Sequence, residues 1–243
     1  MLKSKLKYIQ TLGQKKFREK EGLFIAEGPT IVKELLEAGT LNVEEIYAVK
    51  DWISDHSFLA SKTRTVEVTE SELKKISQLT TPNKVLAVVE QFDTGTGIST
   101  RDTITLALDA IRDPGNFGTI IRIADWFGIR QIICSPDSTD VFNPKVVQST
   151  IGSIARVHIH YTDLETWLAA QNGIRVYATT MGGEDVTFSG KMEEGIIIIG
   201  NEAKGISPGV LALADVKLTI PKKGNAESLN AAVATGIVLS HVV

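Results

Sequence analysis

The chain has 243 residues, 43 % of them hydrophobic, enough for one large domain or two modest ones with a real core. Its 26 basic and 29 acidic residues leave a formal charge of -3, so overall charge neither argues for a nucleic-acid partner nor excludes a locally basic face. The single cysteine, Cys134, excludes an intramolecular disulfide and any multi-cysteine metal site. With no signal-peptide hydrophobic stretch and no apolar run of about 18 residues, a water-soluble cytoplasmic protein is expected.

Up to Lys20 the chain carries seven Lys or Arg residues against one acidic residue, Glu19, with Tyr8 and Phe17 among them. Lys15, Lys16, Arg18 and Lys20 are candidate phosphate contacts held flexibly before the first strand; a solvated basic terminus explains the same composition equally well. Short strands are then expected in "GLFIAEG", "VEEIYAVK", "TVEV" and "KVLAVVEQF". "TIVKELLEAG" places Ile31, Leu35 and Leu36 on one helical face and stops at Gly39. In "TESELKKISQL", Thr69 and Glu72 have the spacing of a capping box. This grammar predicts a small α/β domain over residues 1–91 that includes the basic segment, followed by a linker at 92–103, "QFDTGTGISTRD".

From Thr103 the strand candidates "TITLALD", "IRQIICS", "ARVHIHY", "IRVYATT", "EGIIIIG" and "DVKLTIP" alternate with helix-like stretches, the pattern of a largely parallel sheet covered by helices over 104–243. In such sheets ligands gather beyond the strand C-termini. Three glycine-bearing loops occupy those places: "DPGNFG", "GNEAKG" and "PKKGNAESLN". None fits the dinucleotide fingerprint or the phosphate loop of nucleotide hydrolases. Taken singly each loop has a plain structural reading. Asn116 serves as a helix cap, with Ile120, Ile123, Ala124 and Phe127 as the buried stripe. Arg122 forms a surface salt bridge, Glu202 sits in a turn, and Ser228 caps a terminal helix whose first turn holds Asn230.

Together, "DPGNFGTIIRIADWFG", "IIIIGNEAKGIS" and "LTIPKKGNAESLNAAVATGIV" resemble, in order and broad spacing, the three motifs of the SpoU/TrmH family of RNA ribose 2′-O-methyltransferases in the SPOUT superfamily. "KKFREKEGLFIAEGPTIVKELLEAG" is similar to the small substrate-binding domain that many family members carry in front. The resemblance implies an α/β protein with a C-terminal parallel-sheet SPOUT domain, a trefoil knot and a small N-terminal α/β domain. It implies a homodimer and carries the family's polar set onto Asn116, Arg122, Glu202, Ser228 and Asn230. It places S-adenosyl-L-methionine near Gly200, Ile220 and Leu229, completed by the loop from Thr179 to Gly182.

The reaction so implied needs a ribose hydroxyl aligned with an electrophilic methyl carbon, and no metal. The family view makes Arg122 a general base assisted by an RNA phosphate; because arginine keeps its proton in proteins, a phosphate clamp stays open beside that role, and Glu202 is a candidate for holding Arg122 or its hydrogen-bond network in place. Ala231 and Ala232 after Asn230, and the lysines Lys204, Lys222 and Lys223, depart from the common pattern and leave the narrow substrate open. The front domain favours 23S ribosomal RNA over transfer RNA; a catalytically silent RNA-binding or ribosome-assembly protein and an unrelated α/β metabolic enzyme are the competing classes. His158 and His160 alternate on a strand without a third ligand, so no zinc site is expected.

Overall fold

The computed structural model describes residues 3–95 and 98–243; Thr96 and Gly97, within the expected linker, lie outside the described residues. In chain order the elements are α1 (Lys3–Thr11), α2 (Lys15–Glu21), β1 (Leu23–Glu27), α3 (Pro29–Ala38), β2 (Val43–Ala48), α4 (Lys50–Asp55), α5 (Ser57–Ala60), β3 (Arg64–Glu67), α6 (Glu70–Ile76) and β4 (Val85–Glu90). There follow β5 (Ile104–Asp109), α7 (Pro114–Trp126), β6 (Gln131–Cys134), α8 (Pro144–Thr150), β7 (His158–Tyr161) and α9 (Leu164–Ala169). The chain closes with β8 (Val176–Asp185), β9 (Gly195–Gly200), α10 (Pro208–Leu211), β10 (Val216–Thr219) and α11 (Ala231–Val242).

The chain forms two compact units. The first runs to Phe92 and also contains Asp140–Arg156, a segment expected on sequence to belong to a continuous 104–243 domain. Its four-stranded sheet has the order β1-β4-β2-β3, antiparallel except for the β2–β3 pair. All five residues of the edge strand β1 are buried, because α8 packs against it and removes the open edge from solvent. Two further contacts explain why Asp140–Arg156 belongs here. Phe142 stands 5.2 Å from the Phe24 ring and 4.9 Å from the Phe92 ring. Arg18, 2 % exposed, donates to Asp140 at 2.5 Å and to the Leu12 and Gly13 carbonyls at 3.1 and 2.9 Å. The α3 face of Ile31, Val32, Leu35 and Leu36 is buried and Gly39 ends the helix in the left-handed region at φ 63°. Thr69 and Glu72 form the expected reciprocal capping box.

The second unit holds a six-stranded, wholly parallel sheet of order β10-β8-β9-β5-β6-β7. The central strands β5 and β9 are almost completely buried, as expected of parallel strands covered on both faces. Ile196 and Ile198 of β9 join Leu164, Leu168 and Val210 in the core beneath α9 and α10. Ile197 and Ile199 alternate to the opposite face, where α11 packs on β9 and α7. One irregularity lies on the β8–β10 ladder: Lys217 pairs with Ala178 and the next residue, Leu218, pairs with Glu184. Residues 179–183 therefore leave that ladder as an excursion, and β8 extends to Asp185, beyond the stretch ending at Thr180 expected from sequence.

Candidate active site

Three side chains from the three glycine-bearing loops meet at the C-terminal end of this sheet. The Asn230 Nδ2 donates to Asn116 Oδ1 at 2.7 Å, and Asn116 Nδ2 donates to the Glu202 carboxylate. Asn230 Oδ1 in turn accepts the Ala232 and Val233 amides at 3.0 and 3.2 Å, making Asn230 the N-cap of α11. The result is an oriented chain: helix N–H groups, the Asn230 amide, the Asn116 amide, a carboxylate. Each member polarises the next in the same sense. Flipping the Asn116 amide would oppose NH₂ to NH₂ at one end and oxygen to carboxylate at the other, so the network determines its orientation.

The supporting residues explain how distant loops arrive together. Asp113 caps α7 by accepting the Asn116 backbone amide at 2.8 Å, with Pro114 in the first turn. Asn116 is thus inside the helix and not its cap, which frees its side chain for the network. Likewise the cap of α11 is Asn230, whereas Ser228, expected in that place, lies in the fully exposed stretch 221–230. Asn201 shapes the middle loop: its Nδ2 donates to the Ala110 carbonyl at 2.9 Å and its Oδ1 accepts the Ala203 and Lys204 amides. At Gly200 an added Cβ would lie 2.5 Å from the Gly205 carbonyl carbon and the Ile206 nitrogen, so only glycine permits this loop closure. Asp109 and Asn201 were readable as polar residues at strand ends, but the partners that join the loops, the Ser207 amide for Asp109 and the Ala110 carbonyl for Asn201, lie 98 and 91 positions away and left no local signal.

The remaining expected residues fall outside the network. Arg122 is exposed and makes no ion pair or hydrogen bond among the described residues, so neither the surface salt bridge nor a Glu202 partner is present. Six positions beyond Asn116, it points about 120° around the helix from it. The face of α7 bearing Asn116, Thr119 and Ile123 instead borders an open groove of about 390 Å³ against Asn230, Val233, Gly236 and Ile237 of α11. Ile123 is only partly buried, and the buried stripe of α7 is Phe117, Gly118, Ile120, Ile121 and Ala124. Of the four basic candidates, Lys15, Lys16 and Lys20 are exposed on α2. Arg18 is not available to phosphate: its guanidinium is buried against Leu12, Gly13 and Asp140.

Of the residues expected to hold the cofactor, Thr179 lies in β8, Gly200 ends β9, Ile220 follows β10 and Leu229 lies in the exposed stretch 221–230. Thr179 begins the five-residue excursion from the β8–β10 ladder and donates through Oγ1 to the Ile198 carbonyl at 2.8 Å. Met181 and Leu229 present apolar surface, 68 % and 45 % exposed. Gly182 has a φ of 87° and nothing within 4 Å of an added Cβ. Backbone polar groups at strand ends beside apolar side chains and glycine-opened space suit a nucleoside that carries a short charged tail. Among the described residues no cluster of three or more His, Cys, Asp or Glu is placed to hold a metal ion.

The wholly parallel α/β sheet, with glycine-bearing loops at its C-terminal end, has the fold of a class of RNA methyltransferases. Residues 103–240 match the SpoU rRNA Methylase family and residues 3–87 the MRM3-like substrate binding domain. The chain belongs to the SpoU rRNA methylase family. It is 31 % identical, over 98 % of its length and 95 % of the relative's, to the 23S rRNA (guanosine(2553)-2'-O)-methyltransferase RlmP of Bacillus subtilis. It superposes with a TM-score of 0.87 and 34 % identity on a protein assigned to the TrmH family from Porphyromonas gingivalis, covering 99 % of this chain and 97 % of that one. An AdoMet-bound rRNA methyltransferase from Sinorhizobium meliloti gives the same TM-score at 30 % identity, over 98 % and 94 % of the two chains.

Proposed function

We propose that this protein transfers a methyl group from S-adenosyl-L-methionine to a ribose 2′-hydroxyl of RNA, with 23S ribosomal RNA as the substrate, in the cytoplasm. The observation that carries the reading is the Asn230–Asn116–Glu202 chain, which draws one residue from each of the three motif-bearing loops at the C-terminal end of the parallel sheet. The similarity to a 23S rRNA enzyme across nearly both full lengths supports the substrate.

When bound, S-adenosyl-L-methionine supplies an electrophilic methyl carbon; Thr179, Gly200, Ile220 and Leu229 would hold it. Glu202 fixes the Asn116 amide, and the two asparagines form a preorganised wall against which the ribose is oriented. Arg122, whose guanidinium has no protein partner among the described residues, clamps an RNA phosphate next to the target ribose. Ser228, on the exposed loop entering α11, contributes a hydroxyl to the same ribose or its phosphate. Lys15, Lys16 and Lys20 add phosphate contacts from the 1–91 substrate-binding domain, while 104–243 carries the chemistry.

Homodimerisation belongs to the same reading. Its support is the open α7–α11 groove, flanked by Val233 at 51 % exposure and Trp126 at 84 %, apolar surface that a second copy would cover. The trefoil knot is supported by the strand order, in which the chain passes β8 to lay down β10 at the sheet edge before α11 returns to pack on α7.

The test incubates purified protein with labelled S-adenosyl-L-methionine and separate ribosomal and transfer RNA pools, then maps the modified nucleotide. Label on a ribose of 23S rRNA is expected. Label confined to transfer RNA overturns the substrate, and label on a base overturns ribose chemistry. Arg122→Ala should bind cofactor normally and lose about 100-fold or more in transfer. Normal transfer by that variant would remove Arg122 from the site.

A further inference from the structure

The excursion of residues 179–183 from the β8–β10 ladder is closed by one side chain of the neighbouring strand. Thr219, the last residue of β10, donates from Oγ1 to the Thr180 carbonyl at 2.7 Å and accepts the Gly183 amide on the same oxygen at 2.6 Å. Those two groups are the carbonyl of residue i and the amide of residue i+3, the pair that closes a β-turn. We infer that Thr219 is a positioning residue for the cofactor: its hydroxyl sets the shape of the excursion that completes the S-adenosyl-L-methionine pocket. The inference rests on the cofactor reading above.

The two ends of the excursion are fixed and its tip is not. Its start is tied to β9 through Thr179, which donates to the Ile198 carbonyl at 2.8 Å. Its return runs close against β10: a Cβ added at Gly183 would lie 2.2 Å from the Lys217 carbonyl oxygen, so only glycine fits. Between these points Met181 is 68 % exposed, and Gly182 turns at φ 87° with nothing within 4 Å of an added Cβ. A tip with so little packing keeps one shape only if its neck is bonded. The Thr219 hydroxyl makes both neck bonds, and the main chain runs from it directly into Ile220. One oxygen thus couples the excursion from β8 to the exit from β10.

The role needs a hydroxyl. It donates one hydrogen bond and accepts another at the same time, whereas an aliphatic side chain of the same shape does neither. Thr219→Val therefore deprives the Thr180 carbonyl and the Gly183 amide of this partner and lets the excursion sample shapes that do not fit the cofactor. Binding must then order the loop, and the cost of that ordering is subtracted from the affinity. If the fitting shape is populated about one-tenth of the time, the apparent affinity falls about tenfold. Thr219→Ser keeps the oxygen and both bonds.

The experiment titrates S-adenosyl-L-methionine calorimetrically into the full chain, without RNA, comparing wild type with Thr219→Ser, Thr219→Val and Thr219→Ala. Serine is expected within about twofold of wild type, and valine and alanine about tenfold weaker, all with cooperative unfolding retained. Alanine removes the hydroxyl without putting a methyl in its place, so agreement between the last two variants excludes crowding as the cause. Hydrogen exchange on the cofactor-free proteins reads the clamp itself: the Gly183 amide should exchange about tenfold faster in valine and alanine than in wild type and serine. Wild-type affinity in the valine and alanine variants, an equal loss in serine, or Gly183 exchange indifferent to the hydroxyl would each overturn the assignment and leave the cofactor reading standing. Loss of cooperative unfolding in both valine and alanine would make Thr219 structural and overturn it likewise. A wild type that binds no S-adenosyl-L-methionine removes the cofactor reading and this role together.

Discussion

Glu27 closes β1 with its side chain 5 % exposed, accepting a hydrogen bond from the Ser77 hydroxyl and another from the Gln78 amide at 2.8 Å. Burial raises its pKa above the ordinary carboxylate value, more than those two bonds lower it. The folded protein therefore holds this proton more tightly than the unfolded chain does. The stability contributed is complete below the unfolded pKa and is lost as pH rises through the folded one. Glu27→Gln removes the titration and keeps an acceptor for Gln78. Denaturant unfolding of both proteins from about pH 4 to about pH 8 should show the variant gaining on the wild type as pH rises, then levelling off. A difference constant with pH would contradict the burial argument.

Among the elements, α7 and α11 show what sequence could and could not disclose. That polar residues stand at both helix entries was legible, as was the Thr69–Glu72 box, because capping works over a spacing of three residues. Which residue caps was not: Asp113 and Asn230 do so, leaving Asn116 and Ser228 for other uses. The bond between Asn230 and Asn116 spans 114 positions and that from Asn116 to Glu202 spans 86, distances over which periodicity carries no information. Only the family likeness joined them. Arg18 failed for the same reason, since its carboxylate partner lies 122 positions away. Asn230→Asp separates cap from network. Aspartate caps as well as asparagine, but cannot donate to Asn116 Oδ1. Methyl transfer should fall about tenfold or more while thermal unfolding shows a loss below about 2 kcal/mol, the scale of one hydrogen bond. A variant with full activity would show that the amide chain is dispensable.

At the scale of the whole molecule, the chain passes between its two units three times, after Phe92, after Thr139 and after Arg156. The seventeen-residue segment gained by the first unit, Asp140–Arg156, gives it the Asp140 carboxylate, the Phe142 ring, the buried Val146 and Val147, the Ala155 carbonyl that accepts from Thr40 at 2.6 Å, and the Arg156–Glu34 ion pair at 2.8 Å. Expressing residues 1–92 alone leaves the Arg18 guanidinium buried without its carboxylate, a loss of about 3–5 kcal/mol before any apolar contact is counted. Set against a typical domain stability of about 5–15 kcal/mol, the fragment should be largely unfolded or aggregated by circular dichroism and light scattering. Joining 140–156 to it through a flexible linker should restore a cooperative transition. A well-folded 1–92 fragment would refute this dependence.

The same threading bears on how such an enzyme can change its target. A recombination event with one crossover in the 92–103 stretch would bring in a foreign substrate-binding unit without the seventeen residues that complete it, and would leave the resident segment facing an unfamiliar strand. Shuffling of whole domains is therefore a poor route to a new RNA site here. Specificity is expected to drift by substitutions in place, at exposed positions such as those of α2, with β1 and Asp140–Arg156 changing together.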